Sequence, residues 1–441
     1  MSWARINSIA IVAVVLYLFA EIALLFMTPR DETVQLLTVY FAMCGAYLVL
    51  YQEIRSIRSA AFLGVFFRGI AWFAFPTLSE DLYRFIWDGT VILEGVSPYA
   101  LTPIEFYKEN LHTPFEQIFP LINSTSYYSV YPTVIQVISA FGALASNDLY
   151  LSSLIIKLPL LLAEIATIWM LPQVLLKFNI SPKHSVLYML NPLLIVDVLG
   201  NAHFEALMIF FVVLALRHIQ EKNFALAGGA MAMSVATKLF PLLMIPFLWK
   251  VFKGKDRVQF FAAFMCCSLI LFLPIYFRWE YLMHFMESIN LYFQRFEFNA
   301  SIYYVVRWLG ESVVGYNLIA VIGPAMGILT ALVGVSLWWR QPWGRLSVAL
   351  RSALWLSLTY YLLGTTVHPW YISFLIIIGI FSRRPFAVIW SVVIFVSYSA
   401  YETTIYEENM VLIALEYLVL ALAIFYPKFT RKLIVSPIRN L

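Results

Sequence analysis

Apolar residues run in long unbroken stretches along this chain instead of alternating with polar ones. The stretches lie near residues 8–27, 34–51, 60–77, 129–146, 150–174, 185–199, 203–217, 223–250, 257–277, 313–337, 348–366, 369–382, 385–401 and 410–426. A helix needs roughly 20 apolar residues to cross a hydrocarbon core of about 30 Å. Most of these runs are close to that length, so the pattern predicts an all-α polytopic membrane protein with about 12–14 transmembrane helices in one domain, 1–441. Arg5 precedes the first run, and Pro29-Arg30 follows it where a cleaved leader would carry small residues, so a retained anchor is expected.

Composition agrees. Of 441 residues, 62% are hydrophobic and only 12% are charged, against about 25% charged in an average soluble domain. A soluble enzyme, a disordered chain and a nucleic-acid binder are excluded. A disulfide scaffold is excluded too, since Cys44, Cys266 and Cys267 all sit inside apolar runs.

Short loops rich in Lys and Arg face the cytoplasm. Lys250, Lys253, Lys255 and Arg257 form the clearest group, followed by Arg340 and Arg345, Arg383 and Arg384, and a tail with Lys428, Arg431, Lys432 and Arg439. Working outward from these, 278–301, 366–369 and 402–409 are expected on the opposite face. At the other end Arg5, Arg55 and Arg58 place the long loop 78–128 on that face as well. Two places strain this assignment. If 129–146 and 150–174 both cross, Lys177 and Lys183 land outside, so one segment there should be re-entrant or interfacial. Basic loops flank 223–250 on both sides, which predicts two short helices joined by an outer turn near Thr237, Lys238 and Pro241.

Polarity is concentrated in the loop 78–128. Seven of the chain's 25 acids lie between Glu80 and Glu116, namely Glu80, Asp81, Asp88, Glu94, Glu105, Glu109 and Glu116, opposed only by Arg84 and Lys108. Glu80 and Asp81 follow an apolar span directly, at the level where water meets lipid headgroups. Tyr83, Arg84, Trp87 and Asp88 then recur at helical spacing, with Arg84 and Asp88 on one face. A carboxylate at such a boundary can act as a general base toward a hydroxyl. Capping of the next helix by Glu80 or Asp81 is the simpler alternative.

The run Ser79-Glu80-Asp81-Leu82-Tyr83-Arg84-Phe85-Ile86-Trp87-Asp88-Gly89, followed by Glu94-Gly95-Val96-Ser97-Pro98-Tyr99, resembles the first outer loop of bacterial mannosyltransferase-like proteins of the C-type (GT-C) membrane glycosyltransferase superfamily. Tyr131-Pro132, Asn191-Pro192, Gly200-Asn201-Ala202-His203-Phe204-Glu205, Lys238-Leu239-Phe240-Pro241, Glu297-Phe298-Asn299 and His368-Pro369-Trp370-Tyr371 resemble later motifs of the same proteins, over roughly 60–375. The resemblance implies a polyprenyl-phosphate-linked sugar donor, mannose in the first place, and an inverting transfer to an acceptor hydroxyl on a glycan, glycolipid or protein. The site would then lie on the extracytoplasmic face of the inner membrane. It makes Asp81 the base with Glu80 in support, and assigns substrate contacts to Tyr83, Arg84, Asp88, Asn201, His203, Glu205, Lys238, Glu297, Asn299, His368, Trp370 and Tyr371. Where the superfamily commonly has two aspartates this chain has Glu80-Asp81, which favours Asp81 as the base.

Some features read two ways. Arg68 and Lys157 lie in apolar runs and are further phosphate candidates, but Glu164, two turns beyond Lys157, makes a structural pairing with a neighbouring helix the plainer reading. Trp370 and Tyr371 suit stacking against a sugar or lipid, or an interfacial belt. His203, Glu205 and His368 leave a divalent metal open without forming a ligand motif; no cofactor is implied otherwise. The functional alternative is a transporter or flippase of lipid-linked sugars.

Overall fold

The computed structural model describes residues 8–110, 114–403 and 406–426. Arg5 and the basic tail Lys428, Arg431, Lys432 and Arg439 lie outside these. Helices α1 (Ser8–Phe26), α2 (Thr33–Glu53) and α3 (Ile57–Phe73) open the fold, with Ser56 capping α3 by accepting the Ser59 N–H at 3.2 Å. The polar loop holds α4 (Asp81–Leu93), α5 (Pro103–Glu109) and α6 (Phe115–Ile118), and a Thr102–Glu105 capping box starts α5. Next come α7 (Thr133–Ala143), α8 (Leu149–Lys177), α9 (Val186–Met189), a π-helical turn (Leu194–Leu199), α10 (Glu205–Gln220) and α11 (Phe224–Thr237). The remaining elements are α12 (Ile245–Val251), α13 (Gly254–Leu271), α14 (Leu273–Tyr276), α15 (Trp279–Gln294), α16 (Ile302–Val314), α17 (Ile319–Arg340), α18 (Leu346–Leu363), α19 (Ser373–Phe381), α20 (Phe386–Val393) and α21 (Met410–Phe425). A lone bridge between Phe298 and Thr366 accompanies them.

Five helices, α1, α2, α8, α17 and α18, are long and apolar enough to cross a membrane. Many of the other apolar runs are divided. Prolines cannot donate a backbone hydrogen bond and crowd the preceding turn, and Pro192, Pro241 and Pro369 stand at such breaks. The predicted split of 223–250 is present: α11 ends at Thr237, Lys238 is extended, and a 3-10 turn (Phe240–Met244) leads into α12.

The awkward region 129–174 also resolves. Helix α7 has 11 residues, about 16 Å at the usual rise, half of what a crossing needs. It packs against α4 and α8, and α8 alone, with 29 residues, is long enough to span. The basic ends then come together. Lys177 pairs with Glu221 at 2.7 Å, Lys183 Nζ donates to Gln52 O at 3.4 Å, and Arg383 donates to Asn179 O at 2.6 Å. Lys177 and Lys183 therefore share an end of the bundle with Arg383 and with the turn carrying Arg55.

Arg68, Glu164 and Lys157 inside the bundle all have partners. Arg68 on α3 meets Glu164 on α8 at 2.5 Å and donates to Met189 O at 2.5 Å, while Tyr188 donates to Glu164 at 2.5 Å. Lys157 donates to the carbonyls of Ala71 (3.0 Å), Ala74 and Gly200. Neither Arg68 nor Lys157 lines the large cavity, so both are structural cations and not phosphate ligands.

Candidate active site

At the end of the bundle opposite Lys177 and Arg383 lies a cavity of about 580 Å³ walled by the polar loop, the Lys238 break, the 296–298 segment and the 364–371 turn. Its floor depends on Asn201. The Asn201 Oδ1 accepts the N–H groups of Thr77 (3.0 Å) and Leu78 (2.8 Å), and its Nδ2 donates to Val196 O at 2.9 Å. One buried amide thus ties the approach to α4 to the π-helical turn. Asn201 does not line the cavity; it positions the residues that do.

Asp81 is the first residue of α4. The Ser79 hydroxyl, not a carboxylate, takes the Asp81 N–H at 3.2 Å, and Glu80 makes no cap. The capping alternative is therefore not what these acids do. The Asp81 carboxylate keeps 24% exposure and reaches the cavity. Burial pushes it up to about 6; Lys238 and a hydrogen bond from Tyr131 pull it down, while Glu205 and Glu80 push it up. Glu80 also lines the cavity, but it is ion-paired with Arg30 from the α1–α2 turn, and the Arg30 guanidinium lies 4.2 Å over the Tyr401 ring.

The other cations are unequal. Lys238 Nζ lies 3.1 Å from Glu205 Oε1 and keeps 21% exposure. Arg84 also touches the cavity but is committed elsewhere. It meets Asp88 at 2.8 Å and donates to Ser124 O (2.9 Å), Ser124 Oγ (3.1 Å) and Tyr127 O (3.0 Å). Asp88 in turn accepts from Ser129 (2.5 Å) and Gln136 (3.0 Å). Arg84 and Asp88 together fasten the 124–136 segment beside the site, and Asp88 does not line the cavity. Neither does Tyr83, whose ring packs near Phe75.

Three aromatic rings form one wall. Trp370 stacks on His203 with centroids 3.7 Å apart and on His368 at 4.4 Å. His368 and Tyr371 line the cavity as Trp370 does. Burial and nearby Lys238 push His368 down to about 3, so its imidazole is neutral. His203 is fully buried behind Trp370. Its Nδ1 lies 3.9 Å from Asp81 Oδ2 and its Nε2 lies 3.8 Å from Asp197 Oδ1. Among the described residues no group of three or more His, Cys, Asp or Glu side chains is arranged to hold a metal ion.

On the far wall Glu297 accepts from Tyr303 (2.5 Å) and Asn317 (2.7 Å) and pairs with Arg307. Asn299 has a positive φ of 48°. Its N–H donates to Glu408 at 2.5 Å and its amide to Glu416 at 3.1 Å. It does not line the cavity but fixes Phe298, whose N–H donates to Thr365 O at 3.0 Å and whose carbonyl accepts from Val367 at 2.8 Å. That pairing sets the turn carrying His368.

The sequence reading gave no site role to Arg30, Asp197, Tyr398 or Tyr401, and named Tyr131 only as part of the Tyr131-Pro132 motif. A signal existed for Asp197, a single acid within an apolar run, the same feature that drew attention to Arg68 and Lys157.

This is a polytopic helical membrane protein with a polar cavity at one end of the bundle, carboxylates and one accessible lysine facing it across an aromatic wall. A sequence profile described as alpha-(1->6)-mannopyranosyltransferase, N-terminal domain, matches residues 10–253, more than half of the chain, and the chain belongs to that family, with the GT-C-like character its motifs implied. The matched region holds Asp81, Asn201, His203, Glu205 and Lys238. Alpha-(1->6)-mannopyranosyltransferase A of Mycobacterium tuberculosis is 23% identical over 325 residues, 68% of this chain and 60% of its own length. Alpha-(1->6)-mannopyranosyltransferase B of Corynebacterium glutamicum is 25% identical over 142 residues, 32% of this chain and 23% of its own. The A protein of that organism is 23% identical over 196 residues, 43% and 38% of the two lengths. The chain thus spans about 60% or less of the curated relatives it matches. No solved structure matches it.

Proposed function

We propose that the protein is a membrane mannosyltransferase that moves mannose from a polyprenyl-phosphate carrier to an acceptor hydroxyl, with Asp81 as general base. The acceptor oxygen attacks the anomeric carbon as Asp81 takes its proton. The bond from that carbon to the phosphate oxygen breaks, and the polyprenyl phosphate leaves with the electron pair. A phosphate leaves without needing an acid, so one base and a cation at the leaving group suffice. Lys238 is that cation, and Glu80, held by Arg30, borders the acceptor side. Single displacement inverts the anomeric centre, so a β-linked donor gives the α product that the relatives' names describe. Those names also point to a 6-hydroxyl as the acceptor. Glu205 and His368, with Tyr371, line the sugar's place, while Asn201, Asn299 and Trp370 hold the walls.

The carrying observation is Asp81, a partly exposed carboxylate that burial moves up to about 6 while it faces the same cavity as Lys238. Such a group is ionised at neutral pH yet basic enough to accept a proton in the transition state. The lipid carrier is supported by a second, apolar cavity of about 440 Å³ lined by Leu243, Phe247, Val335 and Leu356, which shares Tyr360 with the first. The basic loops gathered at the opposite end favour an extracytoplasmic site in the inner membrane. Transfer of radiolabelled mannose from polyprenyl-phosphate-mannose tests the assignment: Asp81→Asn should slow it about 10²–10⁴-fold, and an Asp81→Asn protein with the parent rate would remove the base.

A further inference from the structure

Behind the cavity wall lies a line of buried polar groups that no catalytic step uses. Asp197, on the π-helical turn, is fully buried, and so is its Oδ1 partner, the Tyr398 hydroxyl, at 2.7 Å. Asp197 Oδ2 and both ring nitrogens of His203 are buried with no hydrogen-bond partner. Among the described residues no Lys or Arg lies within ion-pair reach of Asp197. A turn with one extra residue interrupts the regular helix, and such bulges recur at functional sites. Here the turn and the positive φ of Ala202, 62°, deliver Asp197 and His203 to the same side of the fold.

We propose that Tyr398, Asp197 and His203 form a chain of donors that ends on Asp81 and holds it aimed at the cavity as a carboxylate. In this chain Tyr398 Oη–H donates to Asp197 Oδ1, Asp197 Oδ2–H donates to His203 Nε2, and His203 Nδ1–H donates to Asp81 Oδ2. It rests on Asp81 being the base.

Three atoms that otherwise stand unpaired, Asp197 Oδ2, His203 Nε2 and His203 Nδ1, are all satisfied by this one arrangement of protons once the Asp197 carboxyl turns Oδ2 toward the ring. A buried polar atom left unpaired forfeits its hydration with nothing in return. The opposite arrangement, with Nε2–H donating to an ionised Asp197, turns the Nδ1 lone pair onto the Asp81 carboxylate and repels it. The Trp370 stack at 3.7 Å and the His203 N–H bond to Val198 O at 2.8 Å hold the ring, so the direction of its nitrogens is set by packing. The 3.9 Å gap from His203 Nδ1 to Asp81 Oδ2 is long for a hydrogen bond, and the 3.8 Å approach to His203 Nε2 is made by Asp197 Oδ1, so the Asp197 carboxyl must turn about its own axis to present Oδ2–H to Nε2. Bonds of this kind tighten when substrate fills a site. Asp81 also faces Lys238, Glu205, Glu80 and Tyr131; His203 faces Lys238 and His368; Asp197 faces Tyr398, Tyr40 and Glu205. All of them stay in place in the variants below.

The test is the pH dependence of kcat/KM for mannosyl transfer from polyprenyl-phosphate-mannose by the full chain. The chain needs a donor at position 197, not a negative charge. Asp197→Asn supplies an N–H to Nε2 and a carbonyl to Tyr398, so it should keep both the rate and the acid limb. Asp197→Leu and His203→Phe, the latter keeping the stack on Trp370, should each move the acid limb up by about one pH unit and lower kcat about tenfold with little change in KM. Combining them should add little to either alone. An Asp197→Asn protein as impaired as Asp197→Leu overturns the proposal, as does a His203→Phe protein whose acid limb stays in place. If Asp197→Leu does not fold, Asp197→Asn and His203→Phe still decide. An Asp81→Asn protein that keeps the parent rate defeats the functional reading itself. A slowed one beside an unshifted His203→Phe defeats this inference alone.

Discussion

Glu205 Oε1 sits 3.1 Å from Lys238 Nζ, and the two act on Asp81 in opposite directions, Lys238 lowering its proton affinity and Glu205 raising it. The base deprotonates on the alkaline side of about 6 in the intact protein, so transfer should rise with pH through that value. Lys238→Met removes the lowering influence, and the acid limb moves up. It also removes the cation from the leaving phosphate, so kcat should fall about 10²–10³-fold. Glu205→Gln moves the limb the other way, down. A pH–rate profile of both variants checks the pair, and limbs shifting in one direction would contradict the arrangement.

Asp81→Asn keeps the shape of the side chain but cannot take a proton. General-base catalysis contributes about 10²–10⁴-fold, and kcat should fall by that factor with donor binding little changed. A labelled-donor binding measurement separates lost chemistry from lost affinity.

The apolar cavity beyond Tyr360 makes a prediction about chain length. Ala331 lines it on α17, and Ala331→Trp fills part of the space. With a long-chain polyprenyl donor KM should rise by about tenfold or more, equivalent to about 1.4 kcal/mol. A donor with a chain of only two or three isoprene units should be unaffected. Equal effects on both would mean that the cavity does not hold the lipid.

The sequence carried a good deal of this. Fourteen apolar runs and paired basic loops were enough to foresee a helical membrane protein and to split 223–250 at Thr237 and Lys238, because charge parity demands a turn there. The resemblance of its motifs grouped Asp81, Glu205, Lys238 and His368, and all four line one cavity. Partnership was not legible. Arg84 and Asp88 share a helix face as the spacing implied, yet they are spent on Ser124, Tyr127 and Gln136, contacts made 40 to 48 residues along the chain. Arg30 finds Glu80 across 50 residues, a pairing only tertiary structure reveals. The count of crossings was also out of reach. Hydropathy marks where apolar residues lie, but an 11-residue helix such as α7 and a run broken at Pro192 look the same as a span when read by composition alone.

Close packing behind Asp81 yields the last prediction. Gly89 lies on α4 two turns after Asp81, and a Cβ at that position would come 2.1 Å from Ser139 O on α7 and 2.9 Å from the Ala140 nitrogen. Both are backbone atoms, so no side-chain rotation relieves the clash and the helices must separate. Overpacking of this kind costs about 1–3 kcal/mol or more. Helix α7 also carries Gln136, which bonds Asp88 at 3.0 Å. Moving it therefore loosens the Arg84–Asp88 fastening as well as the crossing. Gly89→Ala should lower the thermal unfolding temperature in detergent and reduce transfer. Gly69→Ala, at a helical glycine with nothing within 4 Å of the added carbon, should change neither. If the two substitutions behave alike, the α4–α7 contact is not what seats Asp81.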